Sequence, residues 1–364
     1  MCGVIPASVP VGSFPGPGGA IRILLGLRLQ ASSQPEESAI YRSLISLSIV
    51  LTLLTVVLSA YIRLAEVGIG CEPWPDCYAR LDPAAEQRGI TVLSEQGREM
   101  AHYGARVAHR YIASVLGLFI LGIFISALRQ GHKRSASVWV PLGIFAITVF
   151  LSLLGYYTPT RSNPLITMGN LLGGMVLLAL LWWLLQREVE ARTGAGVPAR
   201  LRLPVTAALV LVLVQITLGG WSSANYASGN CPGLVSCQGD LLAAGNVGDA
   251  FNPQRTITLD ATGKVVAEDA LGLMSMAHRL TALLTAAYLA WLVRRLRPQP
   301  QLRATLVFLS VCSIGQILLG LATVLSGIPL WLLTLHNALA AGLLLACVNL
   351  LHRATPAAAA PPPR

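Results

Sequence analysis

The chain has 364 residues, 54% of them hydrophobic and only 12% charged, with a net charge of +10. Soluble domains carry about a quarter of their residues charged, so this composition excludes an ordinary water-soluble globule. Nor does the positive charge mark nucleic-acid binding: Lys133 and Lys264 apart it is all arginine, most of it in short segments between long apolar runs, as in a membrane protein.

Residues 1–40 are rich in Pro, Gly and Ser and lack the n-region, h-region and cleavage site of a removable signal peptide. They read as an N-terminal extension, either a disordered tail or residues upstream of the true start. Residues 43–62 then form an uncharged stretch of 20, long enough to cross a bilayer as a helix. A long loop, about 63–108, carries Cys71-x5-Cys77 and, near its end, Glu99 and His102. Uncharged runs of 18, 26 and 25 residues follow at 111–128, 135–160 and 162–186. The next apolar run opens at 203 and lasts to about 221, and a second long loop, about 222–270, carries Cys231-x5-Cys237. A sixth span covers about 271–293, across Arg279. The stretch 304–352 holds 49 residues without a formal charge, room for two helices, and Gly327-Ile328-Pro329 sets a tight turn near its middle. These runs predict an all-α polytopic membrane protein of eight transmembrane helices, closed by an Ala/Pro-rich disordered tail at 353–364.

The short loops hold Arg129, Lys133 and Arg134, then Arg187, Arg192, Arg200 and Arg202, then Arg294, Arg295, Arg297 and Arg303. In the two long loops acids equal or outnumber bases. The arginine-rich side is therefore expected in the cytoplasm with both termini, and the long loops outside, in the bacterial periplasm.

The two halves repeat one another. Cys71-x5-Cys77 follows the first span and Cys231-x5-Cys237 the fifth; Ala108-His109-Arg110 opens the second span and Ala277-His278-Arg279 the sixth. Thr167-Met168-Gly169-Asn170 lies early in the fourth span and Thr334-Leu335-His336-Asn337 early in the eighth. Three matches in one order predict two pseudo-symmetric four-helix bundles, 41–190 and 200–352, of parallel topology. The second half holds two histidines, His278 and His336; the first holds His109 and then Gly169.

His278 stands 16 residues before Arg294, and His336 17 before Arg353. At about 1.5 Å per residue both lie roughly 25 Å from the cytoplasmic edge. Two imidazoles at one height on neighbouring helices suit the six-coordinate iron of a haem, for which a four-helix bundle supplies an apolar slot. Arg279 and Arg110, each beside a histidine, are placed to pair with haem propionates. The plainer alternative is a set of helix–helix hydrogen-bonding histidines. Each cysteine pair, Cys71-Cys77 and Cys231-Cys237, is a disulfide candidate in an oxidising loop, either a staple or a redox centre. Glu99, three residues before His102, shares its face if the second helix begins early; near a haem edge it accepts protons, and in open loop it is a solvated acid.

The chain resembles the heme A synthase family. The resemblance rests on Gly70-Cys71-Glu72-Pro73-Trp74-Pro75-Asp76-Cys77-Tyr78, Ala108-His109-Arg110-Tyr111, Gly169-Asn170-Leu171-Leu172-Gly173-Gly174, Gln215-Ile216-Thr217-Leu218-Gly219-Gly220-Trp221, His278-Arg279 and His336-Asn337. It implies heme b held by His278 and His336 in the second half, and heme O, the substrate, in the first half at His109. It also implies oxidation of the porphyrin C8 methyl to a formyl group by two hydroxylations and loss of water, with heme O synthase as supplier and an electron acceptor as further partner. A catalytic role for Cys71 and Cys77 belongs to the same picture. Two positions depart from the family pattern: Arg106 stands where a glutamate commonly precedes the first histidine, and Gly169 where a second axial histidine is often found.

Two other classes fit the histidine pair alone. One is a bis-histidine heme b cytochrome passing electrons between membrane quinone and an outer partner. The other is a haem transporter with alternating halves. The duplicated half and the paired outer cysteines favour the enzyme.

Overall fold

A computed structural model describes residues 17–64, 92–130, 138–157, 164–190, 199–237, 239–241, 245–257 and 268–355, with side chains over 38–64, 104–129, 138–155, 164–189 and the described residues from 200 onward. Among the described residues there is no strand. The long helices are α1 (Pro17–Leu64), α2 (Val92–Gln130), α3 (Trp139–Tyr157), α4 (Pro164–Glu190), α5 (Arg202–Ala224), α6 (Asp269–Leu296), α7 (Arg303–Leu325) and α8 (Leu330–Ala354). The chain divides into two compact units, 1–43 and 44–364. In the first, α1 begins at Pro17, within the segment assigned to the extension, and Arg42 Nε donates to the Ser38 carbonyl at 3.1 Å. The rest of the architecture belongs to the second.

Seven of the helices are long and apolar enough to cross a membrane: all but α3, which is 19 residues long and apolar over Trp139–Gly155. The chain is thus a multi-pass membrane protein; eight spans were expected, and the described residues hold seven of full length and one shorter apolar helix. Helix is the form such segments must take, because hydrocarbon offers no partner to an open N–H or C=O. Hydroxyls inside them bond back to their own helix, as Thr217 does to the Leu213 carbonyl at 2.8 Å and Thr334 to the Leu330 carbonyl at 2.9 Å. Lipid-side residues stay open: Leu283 and Leu284 are 66% and 68% exposed. The break between α7 and α8 lies at Gly327-Ile328-Pro329, where Gly327 (φ 73°) and Ile328 (φ 63°) take the left-handed region and Ile328 N–H donates to the Thr323 carbonyl at 2.8 Å.

Helix α2 packs on α3, α3 on α4, and α4 on both α5 and α8. The last four close a ring, α5 on α6, α6 on α7, α7 on α8 and α8 back on α5, so α6 and α8 face one another diagonally. At the arginine-rich end a polar seam ties α4, α7 and α8: Gln186 donates to Asn349 at 2.6 Å, Asn349 to Thr305 at 2.9 Å, and Arg353 to the Gln301 carbonyl at 2.8 Å. Such bonds join helices where lipid supplies no hydrophobic drive.

The other end is closed by the loop between α5 and α6. Met168 of α4, Trp221 and Ala224 of α5, and Leu271 and Met274 of α6 form one apolar cluster with Ala227 and Ala250 of the loop. Trp221 Nε1 donates to the Ala250 carbonyl at 2.7 Å. Cys231 and Cys237 are joined by a disulfide, and an Arg255–Glu268 ion pair leads the chain into α6. Asp269 in the first turn of α6 and Arg294 and Arg295 in its last suit the helix dipole.

Candidate functional site

His278 on α6 and His336 on α8 point into the ring of α5 to α8 from its diagonal. Their ring centroids are 6.5 Å apart and their planes 78° apart. A metal–imidazole bond of about 2.0 Å plus about 1.1 Å from nitrogen to ring centre sets two opposed ligands of one metal roughly 6.2 Å apart, centre to centre. The observed separation of the ring centres is close to that value. No cluster of three or more His, Cys, Asp or Glu exists among the described residues, so a bare metal ion finds no full ligand set. A haem iron needs none, because the porphyrin supplies four nitrogens and the protein two.

The neighbours of each ring favour that use. On α5, Gly219 leaves space for His278: a Cβ there would lie 2.6 Å from Cε1, 3.1 Å from Nδ1 and 3.2 Å from Nε2. On α7, Gly320 faces His336, where a Cβ would lie 3.6 Å from Cε1. One turn below Gly219, Gln215 places Nε2 at 2.9 Å from His278 Nδ1 and 3.0 Å from the His278 carbonyl, while Thr281 Oγ1 donates to Gln215 Oε1 at 2.7 Å. For Nε2 of His278 to bind iron, Nδ1 must carry the proton. A half-turn of the Gln215 amide gives Nδ1–H an acceptor in Oε1 and gives Thr281 Oγ1 a donor in Nε2, in exchange for the 3.0 Å bond to the His278 carbonyl, while the Thr281 hydroxyl donates to the Ala277 carbonyl at 2.8 Å. His336 Nδ1 is buried with no hydrogen-bond partner among the described residues.

The outer loop is anchored beside this pair. Arg279 donates through Nη1 to the carbonyls of Gly233 and Leu234 and through Nη2 to that of Cys231 at 3.0 Å, so its guanidinium holds the Cys231–Cys237 loop over the site. On the other side of His336, Asn337 accepts from Arg63 Nη2 at 3.0 Å, and Tyr226 Oη donates to the Arg63 carbonyl at 3.3 Å. Arg63 is 7% exposed, a buried cation that ties the end of α1 to the α8 turn carrying His336 and Asn337.

In the first half, His109 is half-buried on α2, with Arg106 half-buried one turn before it and Arg110 exposed beside it. On α4 the place at Gly169 is covered by Leu154, which a Cβ there would meet at 2.8 Å. Any side chain at 169, a histidine included, requires Leu154 to move. Cys71 and Cys77 lie outside the described residues. Glu99 and His102 fall within the backbone of α2 but outside the residues whose side chains are described.

Sequence patterns single out the histidines but pass over Gln215, Thr281, Gly219, Gly320 and Arg63 as individual site residues. The signal available was position: a glutamine and two glycines inside apolar helices, and an arginine at the end of one, sit where leucine costs nothing.

A family model described as cytochrome oxidase assembly protein matches residues 42–348. The heme A synthase of Shewanella oneidensis is 33% identical over 314 residues, 84% of this chain and 94% of that protein. The heme A synthase of Sphingopyxis alaskensis is 24% identical over 348 residues, covering 88% of this chain and 93% of its own length. That of Maricaulis maris is 27% identical over 322 residues, with 80% and 89% covered.

Proposed function

The chain belongs to the cytochrome oxidase assembly protein family, and on that premise we propose that it is a heme A synthase, an oxidoreductase of the membrane that converts the C8 methyl of heme O to a formyl group. The observation that supports this beyond the family is the pair His278 and His336, 6.5 Å apart between ring centres inside one helix ring. These two residues hold heme b. When bound, heme b would supply one-electron transfer.

The chain's own residues define the rest. Gln215 and Thr281 fix the His278 ring and its tautomer. Gly219 and Gly320 let helix backbone approach the rings, and the disulfide loop held by Arg279 covers the outer end. The first half, with α3 as the eighth span, forms a second four-helix bundle that receives heme O near His109. Arg110 supplies a cation to a propionate of the substrate. Gly169 has no ligand atom, so of that pair of positions His109 would be the one to hold the substrate iron. Each C–H takes up the oxygen of a water to become C–OH with release of two protons and two electrons; Glu99 takes up the protons, and the Cys71-Cys77 pair belongs to the same catalytic set. Two such hydroxylations give a gem-diol, which loses water to leave the aldehyde. Heme O arrives from heme O synthase, and the electrons pass to an acceptor in the membrane or outside it. Both termini lie on the cytoplasmic side of the bacterial inner membrane.

Co-expression with a heme O synthase in a host that makes no heme A tests the proposal. A heme A peak by mass in the extracted haems, absent from the vector control, is the expected result. Heme b in the purified protein with heme O accumulating unchanged would refute the enzyme and leave a cytochrome.

A further inference from the structure

Helices α5 and α7 carry the same local pattern, Gln215-Ile216-Thr217-Leu218-Gly219 and Gln316-Ile317-Leu318-Leu319-Gly320. Both helices begin at the arginine-rich end and each packs against the helix that carries a histidine, α5 on α6 and α7 on α8. In each pair the glycine lies against the imidazole. The Cβ position of Gly219 is 3.1 Å from His278 Nδ1, and that of Gly320 is 4.0 Å from His336 Nδ1. In each pair the glutamine stands four residues earlier, on the same helical face and one turn deeper.

The two pairs differ in one respect. Gln215 has reached its histidine, with Nε2 at 2.9 Å from Nδ1. In the other pair both ends of the equivalent bond are buried and unmatched: Gln316 Oε1 and His336 Nδ1 each lack a hydrogen-bond partner among the described residues. Burying an acceptor and a donor apart, without water, leaves each with the uncompensated cost of its lost hydration. A glutamine in that place has no packing advantage over leucine or methionine.

We propose that Gln316 is the positioning residue of His336: in the haem-loaded protein its Oε1 accepts the Nδ1–H of His336, as the amide of Gln215 serves His278. The bond holds the proton on Nδ1, frees Nε2 for iron, fixes the ring about its χ2 axis and raises the basicity of the ligand. The inference rests on the haem reading of the pair. It adds a residue from a helix that carries no ligand.

The test uses the full-length protein purified with its haem, the variants Gln316→Met, of similar volume but without an acceptor, and Gln316→Glu, which keeps one. A stronger acceptor on Nδ1–H favours ferric over ferrous iron. Gln316→Met is expected to shift the ferric-to-ferrous ratio toward ferrous by about tenfold, a rise of about 59 mV in the midpoint of a one-electron couple. Gln316→Glu is expected to stay at or below the wild-type midpoint, and the Gln215→Met variant to move in the same direction as Gln316→Met. A midpoint unchanged in Gln316→Met, or raised alike in Met and Glu variants, overturns the proposal; so does loss of haem from both, which marks a packing role. Wild-type protein without a low-spin haem spectrum would instead remove the bis-histidine reading, and this inference with it.

Discussion

Gly219→Ala separates a site built around haem from a merely well-packed helix ring. The added Cβ would sit 2.6 Å from Cε1 of His278, where ordinary contact begins near 3.4 Å, so the ring must retreat by about 0.8 Å. Metal–ligand distances tolerate about 0.2 Å, and the ring has no slack, since Gln215 holds it at Nδ1 and Thr281 holds Gln215. The same change improves the helix itself by about 1 kcal/mol, because alanine replaces glycine in its interior. The expected outcome is therefore a folded, well-expressed protein whose heme b content falls by about tenfold or more. Gly320→Ala is the control: its Cβ would lie 3.6 Å from Cε1 of His336, an ordinary contact, and heme b is retained. The assay is the reduced-minus-oxidised spectrum of purified protein, normalised to polypeptide. Full haem content in Gly219→Ala, or equal loss in both variants, would refute the reasoning.

Three further outcomes follow from the geometry. His278→Ala and His336→Ala each abolish the heme b spectrum, while His109→Ala keeps it and loses heme A formation; loss of heme b from the His109 variant would show that the halves do not divide the work. Replacing Cys231 by serine opens a disulfide of sequence separation 6 and costs about 2 kcal/mol of loop-closure stabilisation, read as a lowered unfolding midpoint that reductant produces in the wild type but not in the variant. Trp221→Phe removes the 2.7 Å bond to Ala250 and leaves that carbonyl unpaired in the outer cluster, costing about 1–3 kcal/mol in the same melt; an unchanged midpoint would show that the loop is held without it.

Hydropathy and rise per residue are properties of a line, so the apolar runs, the turn at Gly327-Ile328-Pro329 and the matched heights of His278 and His336 are legible in the amino-acid order alone. The ends of helices are less so. The uncharged run 135–160 is longer than the helix described within it, Trp139–Tyr157, since charge does not mark where a helix starts. Equal height makes the two histidines candidates, but height is one coordinate of three. Their 6.5 Å separation depends on which helices are neighbours and how each is rotated about its axis, and rotation is set by packing between segments far apart in the chain.

The partners of the rings belong to that second kind. Gln215 and His278 are 63 positions apart and Arg63 and Asn337 are 274 apart, yet each pair meets within hydrogen-bond distance. The gap at Gly219 acquires meaning only when an imidazole lies against it. Composition and periodicity therefore determine that the chain spans a membrane and lift two histidines to one level, because the cost of burying charge and open backbone in lipid is set residue by residue. The closed ring of α5 to α8 decides that the two imidazole centres lie 6.5 Å apart inside it, because separation is a relation between helices.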